Sequence, residues 1–144
     1  MTLYVMDTGH LSLFERNHPS VVSCVLKSRQ SALDDLSTTV ISMQEQLEGR
    51  LAQIRRARDS EPLSLAYVRL KRTFKLFADL DVLDYSTVAD THFREFRKAG
   101  VRIGTQDLRI ASIVLLSEGV LLTRNLRDFE KVPGLKIQDW SIDA

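Results

Sequence analysis

The chain lacks the features that mark secreted, membrane and nucleic-acid-coating proteins. It has one cysteine, Cys24, which cannot form an internal disulfide, so a small secreted disulfide scaffold is excluded. No apolar run approaches the ~20 residues that a membrane helix needs, and no basic residue of the kind found in signal peptides precedes Arg16. The 20 basic and 19 acidic residues leave a net charge of +1, whereas a DNA-coating protein would be strongly basic. We therefore expect a cytoplasmic protein in a reducing setting.

The residues that are present fit a single globular domain. A chain of 144 residues, 44% hydrophobic and 27% charged, is long enough to bury a core. It has no repeat, low-complexity tract or linker, so we predict one domain over residues 1–144. Short apolar runs alternate with helical stretches, which predicts βαβ units. The predicted fold class is α/β, a three-layer α/β/α sandwich around a mostly parallel sheet of about five strands.

The element predictions rest on these runs and on helical periodicity. The predicted strands are 3–6, 38–41, 82–85, 120–123 and 135–137. The predicted helices are 10–29 with a break near 17–19, 42–58, 62–78, 87–99 and 105–117. The helix over 62–78 should carry one apolar face, made of Leu63, Ala66, Leu70, Phe74 and Phe77.

Four acidic residues lie where parallel sheets build ligand sites, beyond the carboxyl ends of strands. Asp7, Glu45 and Asp128 follow predicted strands, and Asp107 opens the helix that leads into the fourth strand. Clustered carboxylates raise one another's pKa values, so such a cluster persists when a divalent cation neutralises it. Oxygen ligands favour Mg²⁺ or Mn²⁺, and carboxylate-held Mg²⁺ ions recur in phosphodiester cleavage.

The first two acids also have ordinary structural interpretations. Asp7 could form an Asx turn with the backbone of the next two residues. Glu45 could complete a capping box with Ser42, and Glu48, one turn later, is the fallback carboxylate.

The other two acids have structural alternatives as well. Asp107 could simply favour the helix dipole after a Thr105 N-cap, although it opens the buried stripe of its helix. Asp128 could belong to a short helical turn capped by Asn125, with Phe129 packed down. Zinc is disfavoured, because no histidine or cysteine pair has the spacing of zinc ligands.

Four motifs resemble those of PIN domains. They lie at 3–8, 42–49, 100–111 and 122–140. The Thr-x-Asn-x-x-Asp-Phe stretch at 123–129, followed by Gly-Leu and Trp140, is typical of VapC-type toxins, the ribonuclease half of bacterial toxin–antitoxin pairs. The segment from 50 to 97 carries no signature of the family.

The resemblance implies a set of site residues. The catalytic and metal-binding acids would be Asp7, Glu45, Asp107 and Asp128, with Mg²⁺ or Mn²⁺ as cofactor. Supporting hydrogen bonds would come from Thr8, Thr123 and Asn125, and contacts to RNA or antitoxin from Arg124 and Arg127. One departure is Gly9, which stands where the family usually has Asn or Ser.

The implied function is metal-dependent hydrolysis of RNA phosphodiester bonds by a toxin that its antitoxin inhibits. The implied partners are RNA, the antitoxin and a second copy of the chain, with DNA reached only through the antitoxin and no membrane. Because the reaction needs no side-chain nucleophile, we interpret Ser12 as a surface hydroxyl, His10 as solvated and Cys24 as a buried thiol. The Gly9 departure leaves an alternative open, a PIN-like domain that binds RNA or protein with weak or no catalysis. Gly9 also disfavours an aspartyl-phosphate phosphatase, which needs a second Asp there.

A basic stretch at 50–75 has two interpretations. It holds eight basic residues and two acids, a local balance of +6. The basic residues are Arg50, Arg55, Arg56, Arg58, Arg69, Lys71, Arg72 and Lys75, and the acids are Asp59 and Glu61. The stretch could steer phosphate or form solvated helix faces, and it resembles the family's region of contact with a second copy and with antitoxin.

Overall fold

The computed structural model of the protein describes residues 1–57 and 62–142. The strands in these ranges are Thr2–Met6 (β1), Asp34–Thr39 (β2), Asp81–Leu83 (β3), Val120–Leu122 (β4) and Lys136–Gln138 (β5). The helices are Thr8–Glu15 (α1), Pro19–Gln30 (α2), Val40–Arg56 (α3), Leu63–Ala78 (α4), Thr87–Lys98 (α5), Thr105–Leu116 (α6) and Leu126–Phe129 (α7). Arg58, Asp59 and Glu61 of the basic stretch lie outside the described residues.

The strands form one sheet in the order β3-β2-β1-β4-β5, and every pair is parallel. This confirms the predicted parallel sheet of five strands. The chain builds outward from β1 on one side and then returns to its other side, so strand order switches between β1 and β4. Beyond the carboxyl ends of these two strands lies the crevice in which such sheets bind ligands. There the amide of Asp7 donates to the carbonyl of Leu122 at 3.0 Å.

Side chains of the central strands alternate between two cores, as the pleat of a strand requires. Val5 and Leu121 pack into a core with α5 and α6, whereas Met6 and Leu122 pack against α1 and α4. All four residues are 0% exposed. Helices therefore cover both faces, which confirms the three-layer sandwich. Within the described ranges, no helix combines the length and apolarity needed to cross a membrane.

The boundary between β2 and α3 differs from the prediction. The strand ends at Thr39, whose side chain accepts the amide of Ser42 at 3.1 Å and so caps the helix. Val40 and Ile41 are therefore helical, although β-branched residues favour strands. They pack into the core from the first turn of α3, and this tertiary packing overrides their propensity.

The apolar face predicted for α4 is buried only in part. Ala66 and Phe77 are buried, but Leu63 is 46% and Phe74 68% exposed. The helix packs along α3 and β3, and these two elements cover one side of it. The predicted apolar face is therefore only partly covered by the chain's own elements.

Candidate functional site

Asp7 lies at the switch point and begins α1. Its Oδ1 accepts the amide of His10 at 2.7 Å, so the side chain is the N-cap of the helix. The Asx turn with the next two residues is wrong, since the partner is the third residue along. Only 9% of Asp7 is exposed, and its backbone is joined to β4. The fold therefore holds this carboxylate at the edge of the crevice.

Glu45 lies on α3 and is tied to the residue that follows Asp7. The Thr8 hydroxyl donates to Glu45 Oε1 at 2.8 Å and lies 3.1 Å from the hydroxyl of Ser42. The alternative capping box is wrong, because Thr39 occupies the N-cap position and Glu45 turns to Thr8 instead. A single hydroxyl thus links the acids that follow β1 and β2.

Asp107 reports the proximity of all four acids. Its carboxyl is half-buried in the first turn of α6. Burial raises its pKa to about 6, helped by the negative charges of Asp7, Glu45 and Asp128. The electrostatic field of three acids from distant parts of the sequence therefore reaches this one carboxyl group.

Two further predictions near the site concern the N-cap of α6 and the fallback carboxylate. The N-cap position of α6 is Gly104 and not Thr105, and no side chain caps this helix. Thr105 has already entered the helix, so its hydroxyl is not placed to satisfy the first amides. Glu48, the fallback carboxylate, is exposed and accepts a hydrogen bond from Gln44 at 3.0 Å.

Asp128 lies on α7 and is oriented by the loop before it. Asn125 Nδ2 donates to Asp128 Oδ2 at 2.9 Å, and the buried Thr123 hydroxyl accepts the amide of Asn125 at 3.0 Å. The Asn125 hydrogen bond, followed by the charge of Lys131 at 3.6 Å, lowers the pKa of Asp128. Phe129 is buried beneath this turn, whereas Asn125 occupies the N-cap position without a side-chain capping bond.

Arg124 and Arg127 differ from Arg50 in their exposure. Arg124 and Arg127 are exposed on either side of Asn125, at the edge of the acidic cluster. Arg50 is instead committed to the interior, where its Nη2 donates to Glu15 Oε1 at 2.8 Å. It belongs to the internal packing of α3 and is not available to steer phosphate.

The sequence pattern led to a wrong prediction of the solvent exposure of His10, which lies near the site. The prediction of a solvated histidine is wrong, since the side chain is 0% exposed. Its Nε2 accepts the amide of Trp140 at 3.0 Å, and its Nδ1 lies 3.6 Å from Asp7 Oδ1. The sequence signal that could have indicated this buried position was the place of His10 three residues after a capping acid, between Gly9 and Leu11. Cys24 is half-buried on α2.

The donor set suits a hard divalent cation in its chemistry. The four acids offer oxygen ligands. Burial raises the pKa of Asp107, and the charges of the other three acids, which a cation would offset, add to this effect. Among residues 1–57 and 62–142, however, no three acidic, histidine or cysteine side chains are gathered as a ready coordination group. The acids thus sense one another's charge without forming a closed ligand cage.

The chain has recognisable relatives in sequence, although no family model matches it. Over 65 residues it is 40% identical to the tRNA(fMet)-specific endonuclease VapC of Salmonella typhimurium, a match covering 42% of this chain and 49% of that protein. The chain thus spans about half the length of this relative. It is 27% identical to ribonuclease VapC1 of Haemophilus influenzae over 143 residues, covering 96% of this chain and 98% of the relative.

Solved structures share the fold over nearly the whole chain. A chain of the VapBC-1 structure from nontypeable Haemophilus influenzae aligns with a TM-score of 0.75 and 23% identity, covering 98% of this chain and 100% of the other. DNA-bound VapBC from Salmonella typhimurium aligns with a TM-score of 0.75 and 25% identity, covering 97% and 99%. The chain is therefore similar in sequence to VapC ribonucleases and shares its fold with the solved VapBC chains.

Proposed function

We propose that the chain is a divalent-metal-dependent ribonuclease that acts as the toxin of a toxin–antitoxin pair. The observation that carries the proposal is the electrostatic coupling of Asp107 to Asp7, Glu45 and Asp128 at the switch point of the sheet. The names of the relatives, ribonuclease and tRNA(fMet)-specific endonuclease, point to RNA as the substrate class. The VapBC complexes among the solved structures support an antitoxin partner.

Mg²⁺ or Mn²⁺ would be held by the four acids, directly or through water. Bound there, the ion would supply an activated water and would stabilise the leaving oxygen of the phosphodiester. The protein's own groups prepare this site. Thr8 orients Glu45, and Asn125, fixed by Thr123, orients Asp128. Glu45 and Asp128 are thereby oriented without a bound metal.

Substrate and antitoxin would reach the site from its open side. Arg124 and Arg127 are exposed beside Asn125, where their guanidinium groups could pair with RNA phosphates or with acidic groups of the antitoxin. DNA would be contacted only through the antitoxin, in line with the DNA-bound VapBC complex of Salmonella typhimurium. Isolated toxin would form a homodimer.

The test is cleavage of an RNA panel that includes tRNA(fMet), with Mg²⁺ or Mn²⁺ and with EDTA. We expect metal-dependent cleavage that Asp7→Asn lowers by on the order of 100-fold or more. Asparagine is also a good N-cap, so this variant should keep α1 folded. Asp79→Asn, at an exposed acid after α4, is the matched control. Equal cleavage by wild type and Asp7→Asn would refute the proposal.

A PIN-like domain that binds RNA or protein without cleaving it is the second candidate. Two observations favour it: Gly9 replaces a family hydrogen-bonding residue, and the described acids form no ready coordination group. Binding of the same RNA panel without cleavage, together with no heat of Mn²⁺ binding, would select this candidate.

A further inference from the structure

His10 connects the acidic site to the segment that follows β5. The side chain is wholly buried, and its Nε2 accepts the backbone amide of Trp140 at 3.0 Å. Its Nδ1 has no hydrogen-bond partner among the described residues and lies 3.6 Å from Asp7 Oδ1. A buried nitrogen without a partner is costly, so its placement against a carboxylate calls for an explanation.

The Trp140 contact determines which nitrogen carries the proton. An imidazole nitrogen that accepts an N–H bond must be deprotonated, so the neutral ring has its proton on Nδ1. That N–H faces Asp7. Asp139 Oδ1 lies 3.5 Å from Nε2, but it accepts the amide of Ser141 at 2.8 Å and cannot donate to His10 as a carboxylate. The hydrogen bonds therefore favour the tautomer with its donor directed at the site.

Both contacts with Asp7 fall on the same oxygen. Oδ1 accepts the His10 amide at 2.7 Å and lies 3.6 Å from the imidazole Nδ1. The amide hydrogen bond and the adjacent imidazole N–H together act on one oxygen and restrict rotation of the carboxylate, and such outer contacts commonly orient metal-binding acids.

The anchor on the far side of the ring is itself held by packing. The Trp140 ring lies 4.9 Å from the ring of Tyr4 on β1, and its Nε1 donates to Gln138 Oε1 at 3.0 Å. The imidazole is thus held between Asp7, which follows β1, and the segment after β5.

We propose that His10 is a positioning residue that holds Asp7 in the orientation the cation requires, with the Trp140 amide selecting the tautomer. This role rests on the proposed metal-dependent function. It assigns to a histidine outside the four acids a part in metal affinity and turnover, and it makes the segment after β5 a structural support of the site.

Two substitutions at His10 separate its contact with Trp140 from its contact with Asp7. The amide of His10→Gln reaches the position of Nε2, so it can still accept from Trp140 but offers Asp7 no donor. The amide of His10→Asn lies near the position of Nδ1, so it keeps a donor toward Asp7 and loses the bond to Trp140. His92→Gln, on α5, is the matched control.

The measurements are Mn²⁺ affinity by calorimetry, thermal stability, and kcat and KM on a short RNA. We expect His10→Gln to weaken Mn²⁺ binding and to lower kcat by about 10-fold or more each, with KM for RNA unchanged. His10→Asn should keep more of both, although its melting temperature falls further. The ¹⁵N shifts of wild-type His10 should show a protonated Nδ1.

Three results would overturn the proposal. One is wild-type Mn²⁺ affinity and kcat in His10→Gln, and another is a proton on Nε2 in the wild type. The third is a loss of affinity that simply follows melting temperature in both variants, which would mark a purely structural role. Absence of Mn²⁺ binding by the wild type would refute the ribonuclease proposal as well, which distinguishes the two failures.

Discussion

At the residue scale, Asp107 shows which electrostatic effect dominates the site. A carboxylate in the first turn of a helix is favoured by the helix dipole, which by itself would lower its pKa. The pKa is instead raised to about 6, by burial and by three neighbouring acids. Burial and the neighbouring negative charges together therefore outweigh the dipole, and the metal-free protein bears an unfavourable charge at this position.

Replacing this carboxyl should stabilise the metal-free protein in a pH-dependent way. The folded pKa of Asp107 is about 6, against an ordinary value of 3.8. The contribution of this one group to the free energy of unfolding is therefore fully present below pH 3.8 and is lost as the pH rises through 6. Asp107→Asn removes this loss. After discounting for solvent screening at a half-buried group, we expect a gain of about 1 kcal/mol at pH 7.5. Urea unfolding in EDTA at several pH values measures it.

Asp128 supplies the matched control with the opposite sign. Its pKa is lowered, so its contribution to stability is present at neutral pH and is lost on acidification. Asp128→Asn should therefore destabilise the protein at pH 7.5. A gain from Asp107→Asn that stays constant between pH 4 and 7.5 would contradict the raised pKa of this carboxyl.

Gly9 should accept the side chain that the family usually carries. A Cβ at this position would lie 3.5 Å from Asp7 Oδ1, an ordinary contact. Gly9→Ser should therefore fold with unchanged or slightly raised stability, by up to about 0.5 kcal/mol. Thermal unfolding checks this. At Gly119 a Cβ would lie 3.1 Å from the carbonyl of Leu3, so Gly119→Ser should destabilise, and equal effects would refute the steric argument.

At the element scale, α1, α3 and α4 are joined by a polar network. Thr73 is 0% exposed, donates to Glu15 Oε1 at 2.8 Å and accepts Arg50 Nε at 2.9 Å. Gln46 completes the network by donating to Glu15 Oε2 at 3.0 Å. A partly buried ion pair of this kind depends on every partner being present.

Removing the Thr73 hydroxyl should loosen the packing of these helices. Thr73→Val keeps the shape but leaves the Arg50 Nε donor without this partner, so we expect a loss of about 1–3 kcal/mol in the free energy of unfolding. Urea unfolding measures the loss. Thr91→Val, at an exposed hydroxyl on α5 that bonds its own helix, should change stability by less than about 0.5 kcal/mol. Similar effects of the two substitutions would contradict the network's role.

The sequence could predict elements whose signals are local. Alternation of apolar runs with helical periods was enough for the five parallel strands and for the helices on both faces. The first four residues of β2 were missed because the strand begins with Asp34 and Asp35, whose strand conformation depends on hydrogen bonding to β1. The start of α3 was misplaced because the Thr39 cap outweighs the strand propensity of the next two residues.

The site was less predictable than the fold. The positions of three acids after strands and of Asp107 at the start of a helix followed from the pattern of elements, but the contacts that orient the acids did not. Glu45 meets Thr8 across 37 positions, and His10 meets Trp140 across 130. No periodicity reports such distant pairs, so the capping interpretation of Glu45 and the solvated interpretation of His10 were wrong.

At the scale of the whole molecule, α4 carries an exposed apolar groove with a basic rim. Its cavity of 530 Å³ is lined by Tyr67, Leu70, Phe74, Lys71 and Lys75, together with Ala78. Phe74 is 68% exposed. The positive rim disfavours a second copy of the same groove and suits an acidic, amphipathic segment. Under the proposed function, we expect the antitoxin to contact this surface.

Truncating the groove's aromatic anchor should weaken that complex without affecting cleavage. For Phe74→Ser we expect a loss of about 2 kcal/mol in antitoxin affinity, roughly thirty-fold in Kd. Calorimetry with the proposed antitoxin measures this loss. Val68→Ser, at an exposed residue of α4 that does not line the groove, should bind as wild type. Equal binding by both variants would place the antitoxin elsewhere.

The most direct test of the site is titration of Mn²⁺ into the wild-type protein and four single variants. They are Asp7→Asn, Glu45→Gln, Asp107→Asn and Asp128→Asn. If these acids form one cation site, the wild type binds Mn²⁺ saturably, Asp7→Asn abolishes binding and the other three weaken it. Absence of saturable binding by the wild type, or wild-type affinity in all four variants, would contradict the metal site and with it the proposed ribonuclease mechanism.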